Sequence, residues 1–272
     1  MTYDNILYDV DGPVARVTLN RPEVRNAQSR RLLEEMDAAF HAAEDNPEVR
    51  VIVLGGVGES FSAGHDLGSA QEQADRERRP SAPGIPGRYQ RVWSLYIDYG
   101  LRWHYLQKPT IAMVQGYCIF GGWMIATAMD LIVAADDAKF LASHFQYFSV
   151  PYDVGPRKAK ELLFQERFLH AEEAERAGMV NLVVPRARLE EETLAMARRI
   201  AESDPFYLRL VKNSVNLAQD EMGYSTFVRS ALQTYLLSSE SGAHTAHETN
   251  GGRRRYSSVD RALQYERAQR DR

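Results

Sequence analysis

The chain has 272 residues with 44% hydrophobic and 26% charged positions, so it can bury a substantial core as one large globular domain or one domain with a small appendage. Its net charge of −4 argues against nucleic-acid binding through bulk positive potential, and its one cysteine, Cys118, excludes a disulfide framework or a cysteine metal cage. Because no apolar run reaches the ~18 residues of a membrane span and the N-terminal residues lack the pattern of a signal peptide, the sequence predicts a soluble cytoplasmic protein.

Strand and helix patterns alternate in the first part of the chain. Val14–Leu19 alternates as a strand does, and apolar residues then recur at helical spacing between Ser29, available as an N-cap, and Asn46. Val51–Leu54 reads as a buried strand. The segment Ser69–Gly87 is polar, charged and rich in proline and glycine, which predicts a mobile loop.

The central part contains a segment in which two strands flank a glycine-broken turn and a short helix. It follows an aromatic helical pattern over Arg88–Leu106. The predicted strands are Ile111–Val114 and Leu131–Ala134, and the predicted helix is Trp123–Met129, with Gly121-Gly122 directly before it. The first N–H groups of a helix have no internal partners, so this glycine pair offers a site for an oxyanion.

The last part of the chain changes from mixed to purely helical patterns. A helix over Arg157–Phe164, a second helix from Ala171 to Gly178 and a strand over Val180–Val184 are predicted first. Three helices are predicted after them: Leu189–Ala201, Pro205–Ala218 with Asp204 as N-cap, and Tyr224–Leu237. The sequence therefore predicts an α/β core over residues 1–200 and a helical C-terminal region over residues 201–272.

Five motifs, in this order and spacing, resemble the crotonase superfamily, the enoyl-CoA hydratase/isomerase family. They are NRPEVRNA at residues 20–27, FSAGHDL at 61–67, KPT at 108–110, QGYCIFGG at 115–122 and AGMV at 177–180. The resemblance implies a crotonase-type spiral of repeated β-β-α units and a helical C-terminal trimerisation region, in a homotrimer or dimer of trimers. It further implies an acyl-CoA thioester substrate, in which coenzyme A is part of the substrate and no other cofactor is bound.

The family stabilises a thioester enolate with two main-chain N–H groups, and the motifs map these donors to His65 and Gly121. Gly64 suits this role because a glycine permits tight backbone approach. The same mapping implies that the carbonyl of Ala63 contacts the adenine of coenzyme A. Arg25 is either a phosphate contact or an exposed, solvated arginine.

Family members that hydrate enoyl-CoA use two glutamates, and the corresponding positions here hold Met124 and His144. Methionine cannot transfer a proton, whereas a neutral imidazole at His144 can act as general acid or base near pH 7. Asp153, nine residues further on, lies where several non-hydratase members carry a working aspartate. We therefore expect His144, with Asp153 orienting it or shuttling a second proton, in place of the two glutamates; packed and turn-forming roles are the alternatives.

The reaction stays open at the level of sequence. The same enolate chemistry serves a carbon–carbon bond hydrolase of diketone type or an isomerase, and a pseudoenzyme that binds acyl-CoA without turnover is a further alternative. The aromatic residues near the glycine pair either favour a bulky acyl group or fill the pocket and shorten it: Phe120, Trp123, Tyr147 and Phe148.

Three further groups are interpreted as structural. Asp66 is expected to cap the turn that follows it, and His104 is expected to be a satisfied core histidine. The histidine pair His244 and His247 with Glu248 lies in a polar, glycine-rich tract, so a solvated loop is expected there and no metal site.

Overall fold

The computed structural model describes residues 3–241 and 258–270. Its strands are β1 (Ile6–Asp11), β2 (Val14–Leu19), β3 (Val51–Gly56), β4 (Thr110–Val114), β5 (Tyr117–Ile119), β6 (Leu131–Ala135), β7 (Lys139–Leu141), β8 (Leu169–His170) and β9 (Leu182–Val184). Its helices are α1 (Arg30–Asp45), α2 (Ala70–Arg78), α3 (Gly84–Val92), α4 (Tyr99–His104), α5 (Gly121–Thr127), α6 (Val150–Val154), α7 (Pro156–Gln165), α8 (Ala171–Arg176), α9 (Leu189–Ala201), α10 (Pro205–Glu221), α11 (Tyr224–Glu240) and α12 (Ser258–Arg270).

A six-stranded sheet in the order β1-β2-β3-β4-β6-β9 forms the centre of the fold. The β1–β2 pair is antiparallel and all other pairs in this sheet are parallel. Parallel strands are covered on both faces, which explains why β3 and β4 are almost continuously apolar. Side chains of α1 pack in the main core on one face, and side chains of α9 pack in a second cluster on the other.

A smaller sheet, β5-β7-β8, lies next to the carboxyl ends of the central strands. The segment after β3 runs beside β5 through an isolated parallel bridge between Ser62 and Cys118, and it reaches the start of α1 through a second bridge between Gln28 and His65. Two glycine-containing turns from distant parts of the chain therefore meet at one point. Cys118 itself is buried.

The prediction of a mobile loop over residues 69–87 is wrong, because most of this segment is helical. Ser69 caps α2 by accepting a hydrogen bond from the N–H of Glu72. The Glu72 carboxylate is fully buried and forms ion pairs with Arg76 and Arg91, the latter on α3. Composition alone does not reveal this network, since its charges become partners only when α2 and α3 pack together.

Several predicted elements are confirmed, with shifted ends in places. β2 and α9 have the predicted bounds, and Ser29 and Asp204 cap α1 and α10. α5 begins at Gly121, two residues earlier than predicted. The predicted aromatic helix is divided by a π-helical turn at Trp93–Asp98. β5, β7, β8 and α6 were not predicted because they have only two to five residues each. β1 and α12 were not predicted either, because each buries one residue and so carries no clear apolar period.

The described chain beyond residue 201 is helical, in agreement with the predicted C-terminal region. Tyr224, Val228 and Leu232 of α11 are buried in the main core, so this helix packs on the same core as α1. A boundary at residue 200 stays a prediction. No helix in residues 3–241 or 258–270 is long and apolar enough to cross a membrane.

Candidate active site

The site is built where the segment after β3 meets the turn between β5 and α5. Gly64 has φ +89°, a conformation that favours glycine. A Cβ atom at this position would lie 2.7 Å from the carbonyl oxygen of Ile119 and 3.2 Å from the nitrogen of Gly121. The close approach of the two backbones therefore requires a glycine at 64.

Two main-chain N–H groups at this junction are free to bind an acceptor. In the parallel bridge to Gln28, the bonds are made by the carbonyl of Gly64 and the N–H of Asp66, so the N–H of His65 points away from that strand. Gly121 is the first residue of α5, where N–H groups lack intrahelical partners. Within the described ranges, neither of these two N–H groups donates a hydrogen bond.

Phe120, directly before Gly121, is backbone-strained. Its φ of 47° and ψ of −100° are unusual for a non-glycine residue. Its N–H donates to the carbonyl of Leu141, 2.9 Å away, which ties the turn to β7. Strain of this kind is retained where the surrounding structure enforces it, and it is concentrated at functional sites.

The ring of His65 lies next to Gly121 as well. Nε2 lies 2.7 Å from Oε1 of Gln146, and the ring stacks on Tyr96 with centroids 3.8 Å apart. The edge with Nδ1 and Cε1 faces Gly121, where an added Cβ would be 2.8 Å from both atoms. Burial lowers the pKa of His65 to about 4, so the ring is neutral near pH 7.

Met124 is a core residue with 4% exposure. It lies beside a small cavity together with apolar side chains that include Leu95, Tyr96 and Tyr147. The rings of Trp123 and Tyr147 have no exposed surface. The side chains of Met124, Trp123 and Tyr147 are therefore packed in the core, and the size of the acyl group stays a prediction.

His144 lies close to the glycine turn. Its ring centroid is 5.6 Å from that of Phe120 and 6.3 Å from that of Phe145. The side chain is partly exposed, whereas most of its sequence neighbours after Gln146 are buried. The imidazole is thus beside Phe120, the residue before Gly121, and its role in proton transfer stays a prediction.

Asp153 has a different set of neighbours. Its Oδ2 accepts hydrogen bonds from Nε1 of Trp123 at 2.6 Å and from Oγ of Ser149 at 2.8 Å. Burial raises the pKa of this carboxyl to about 6, against the effect of the two hydrogen bonds. Asp153 also lines a cavity of about 460 Å³ beneath α10. Its expected cooperation with His144 stays a prediction.

The residues mapped to coenzyme A are neighbours at the edge of the site. The N–H of Ala63 donates to the carbonyl of Arg25 at 2.9 Å. Arg25 is exposed and has a left-handed backbone with φ 53°, which is compatible with both of its sequence-based readings. Their contacts with phosphate and adenine stay predictions.

Two structural expectations have different outcomes. Asp66 accepts from the N–H groups of Gly68 and Ser69, which confirms the turn cap, and it forms a buried ion pair with Arg21 at 2.8 Å that was not predicted. His104 is buried as expected, but the expectation that its ring forms hydrogen bonds is wrong. Neither ring nitrogen has a hydrogen-bond partner among the described residues. Its ring is held by stacking on Tyr224 instead, with centroids 4.7 Å apart.

No group of three or more metal-binding side chains occurs among the residues that the structure describes. His244, His247 and Glu248 lie outside those residues. Gln28, Tyr96 and Gln146 could not be predicted at the site from local patterns, because they come from separate segments that meet only in the folded chain.

The chain belongs to the crotonase superfamily, because it matches the enoyl-CoA hydratase/isomerase family over residues 9–248. Among proteins, it is 37% identical to EchA13 of Mycobacterium tuberculosis, which is provisionally named an enoyl-CoA hydratase; the match covers 98% of this chain and 89% of that protein.

Solved structures agree with this assignment. The fold is similar to that of a probable enoyl-CoA hydratase from Mycobacterium smegmatis, with a TM-score of 0.80 and 40% identity over 89% of this chain and 97% of that one. An enoyl-CoA hydratase/isomerase from Xanthobacter autotrophicus Py2 gives a TM-score of 0.77 and 34% identity over 99% and 94% of the two chains. The predicted fold class, a crotonase-type α/β fold with a helical C-terminal region, is confirmed.

Proposed function

We propose that this protein is an acyl-CoA enzyme that stabilises a thioester enolate between the main-chain N–H groups of His65 and Gly121. The observation that carries the proposal is the meeting of two glycine turns whose N–H groups are both without acceptors. Each such donor contributes ~3 kcal/mol when it faces a charge that develops in the transition state. Arg25 and Ala63 at the edge of the site are proposed to contact coenzyme A.

The proton chemistry is proposed to differ from that of the two-glutamate hydratases. Met124 is buried among apolar groups and can neither donate nor accept a proton. His144, beside Phe120, is the proposed general acid or base, since an imidazole changes charge near neutral pH. Asp153 is proposed to assist as a second acid or base, because its raised pKa of about 6 permits both protonation states near neutral pH.

The bond change remains a choice between reaction types that share an enolate. Isomerisation and carbon–carbon bond hydrolysis both need the oxyanion donors and one acid or base, and neither needs a second carboxylate. The described residues of α10 expose several apolar side chains, including Phe206, Val215 and Leu217, which supports the proposal of a homotrimer or dimer of trimers. A cytoplasmic location is proposed with it.

The sharpest test uses acetoacetyl-CoA, whose enolate absorbs in the near ultraviolet while its keto form does not. We expect a saturable enolate absorbance when the protein is titrated with this thioester. A panel of CoA thioesters that includes crotonyl-CoA, read by mass spectrometry, then identifies the bond change. Binding without an enolate signal and without turnover would support the pseudoenzyme, and failure of every CoA thioester to bind would favour the hydrolase of a free diketone.

A further inference from the structure

The imidazole of His65 is held in one orientation and one tautomer. Nε2 lies 2.7 Å from Oε1 of Gln146, and an amide oxygen only accepts, so Nε2 carries the proton. Nδ1 is therefore an unprotonated acceptor. Tyr96 stacks on the ring at an interplanar angle of 27°, which fixes the plane in which the Nδ1 lone pair points.

This acceptor has no partner in the described structure, although it is buried. Nδ1 has no hydrogen bond, while the great majority of buried polar atoms in proteins have one. The ring edge that carries Nδ1 lies against Gly121, one of the two proposed oxyanion donors. A ligand whose carbonyl binds at Gly121 would thus bring its adjacent atoms next to this lone pair.

We propose that the His65 ring determines substrate specificity, with Nδ1 accepting a hydrogen bond from an O–H or N–H group on the acyl portion of the bound thioester. This inference rests on the proposed function. Because Nδ1 lies beside the residue that anchors the carbonyl, the donor must be within a few bonds of it, as is the hydroxyl of a 3-hydroxyacyl group. An acyl group without a donor leaves Nδ1 unpartnered, and this difference is the source of the discrimination.

The test compares the binding of 3-hydroxybutyryl-CoA and butyryl-CoA by titration calorimetry. The wild-type protein should prefer the hydroxylated thioester by about tenfold. The His65→Phe variant keeps an aromatic ring and the main-chain N–H but loses Nδ1. It should therefore bind the two thioesters with about equal affinity, and butyryl-CoA should still bind. His41→Phe is the matched control, since His41 has a side chain that is 49% exposed on α1, and it should retain the wild-type ratio.

A second measurement on the wild-type protein does not depend on a variant. Nitrogen-15 NMR of histidine-labelled protein should show His65 as the Nε2–H tautomer, and the Nδ1 resonance should move with 3-hydroxybutyryl-CoA and not with butyryl-CoA. An unchanged ratio in His65→Phe, or an Nδ1–H tautomer, overturns the inference while the proposed function stands. If neither thioester binds the wild-type protein, the proposed function fails and the inference fails with it.

Discussion

Replacement of Gly64 by alanine tests the geometry on which the site depends. A residue with a side chain at φ +89° carries a backbone cost of about 1–2 kcal/mol. The new Cβ would also lie 2.7 Å from the carbonyl oxygen of Ile119 and 3.2 Å from the nitrogen of Gly121. Both are main-chain atoms that cannot rotate away, so the two segments must separate, and we expect a total destabilisation of about 2–4 kcal/mol.

The separation moves the N–H of Gly121 relative to that of His65. Loss of one aligned oxyanion donor lowers catalytic rates by about 10²–10³-fold, and enolate formation from acetoacetyl-CoA should weaken in parallel. Stability is measured by urea unfolding and enolate formation by near-ultraviolet absorbance. Gly12→Ala is the matched control, because Gly12 has φ +56° in the β1–β2 turn with nothing within 4 Å of an added Cβ.

We expect Gly12→Ala to lose about 1 kcal/mol of stability and to retain the full enolate signal. A stable Gly64→Ala protein with an unchanged enolate signal would refute the reasoning, since the turn would then not position the donors. Equal losses of the enolate signal in both variants would also refute it, because the effect would then come from general destabilisation.

Three further predictions concern buried groups around the site. Burial raises the pKa of Asp153 from 3.8 to about 6, so the free energy of unfolding falls by up to about 3 kcal/mol as pH rises from 3.8 through 6. The stability of Asp153→Asn relative to wild type should therefore increase across that pH range. A difference in unfolding free energy that does not vary with pH contradicts this prediction. His104→Phe should stabilise the protein by about 1–2 kcal/mol at pH 7, because it removes two buried ring nitrogens without partners; destabilisation would show that those nitrogens are satisfied. Met124→Glu should destabilise the protein by about 2–4 kcal/mol and produce no hydration of crotonyl-CoA, since a carboxylate would enter apolar surroundings. Met124→Leu is the volume-matched control. Hydratase activity in the glutamate variant would contradict the site assignment.

Local sequence signals predicted the strands and helices that depend on residues close together in the chain. The alternation of Val14–Leu19, the cap at Ser29 and the Asp204-Pro205 helix start each act within a few residues, so β2, α1 and α10 could be predicted. The glycine motifs likewise indicated the family and the two turns at Gly64 and Gly121, because close backbone approach at both positions, and the positive φ at Gly64, depend on the residue itself.

Only the tertiary structure decided which side chains meet at the site. Gln146, Tyr96 and His65 come from separate segments, and the orphaned Nδ1 exists only when all three are packed against Gly121. Asp153 could be placed in the sequence, and its hydrogen bond from Ser149 is local, but its contact with Trp123 depends on the packing of α5 against α6. The sequence thus determined the turns that supply the oxyanion donors, whereas the side chains around them were decided by long-range packing, because hydrogen bonds and burial between distant segments have no periodic signal in the chain.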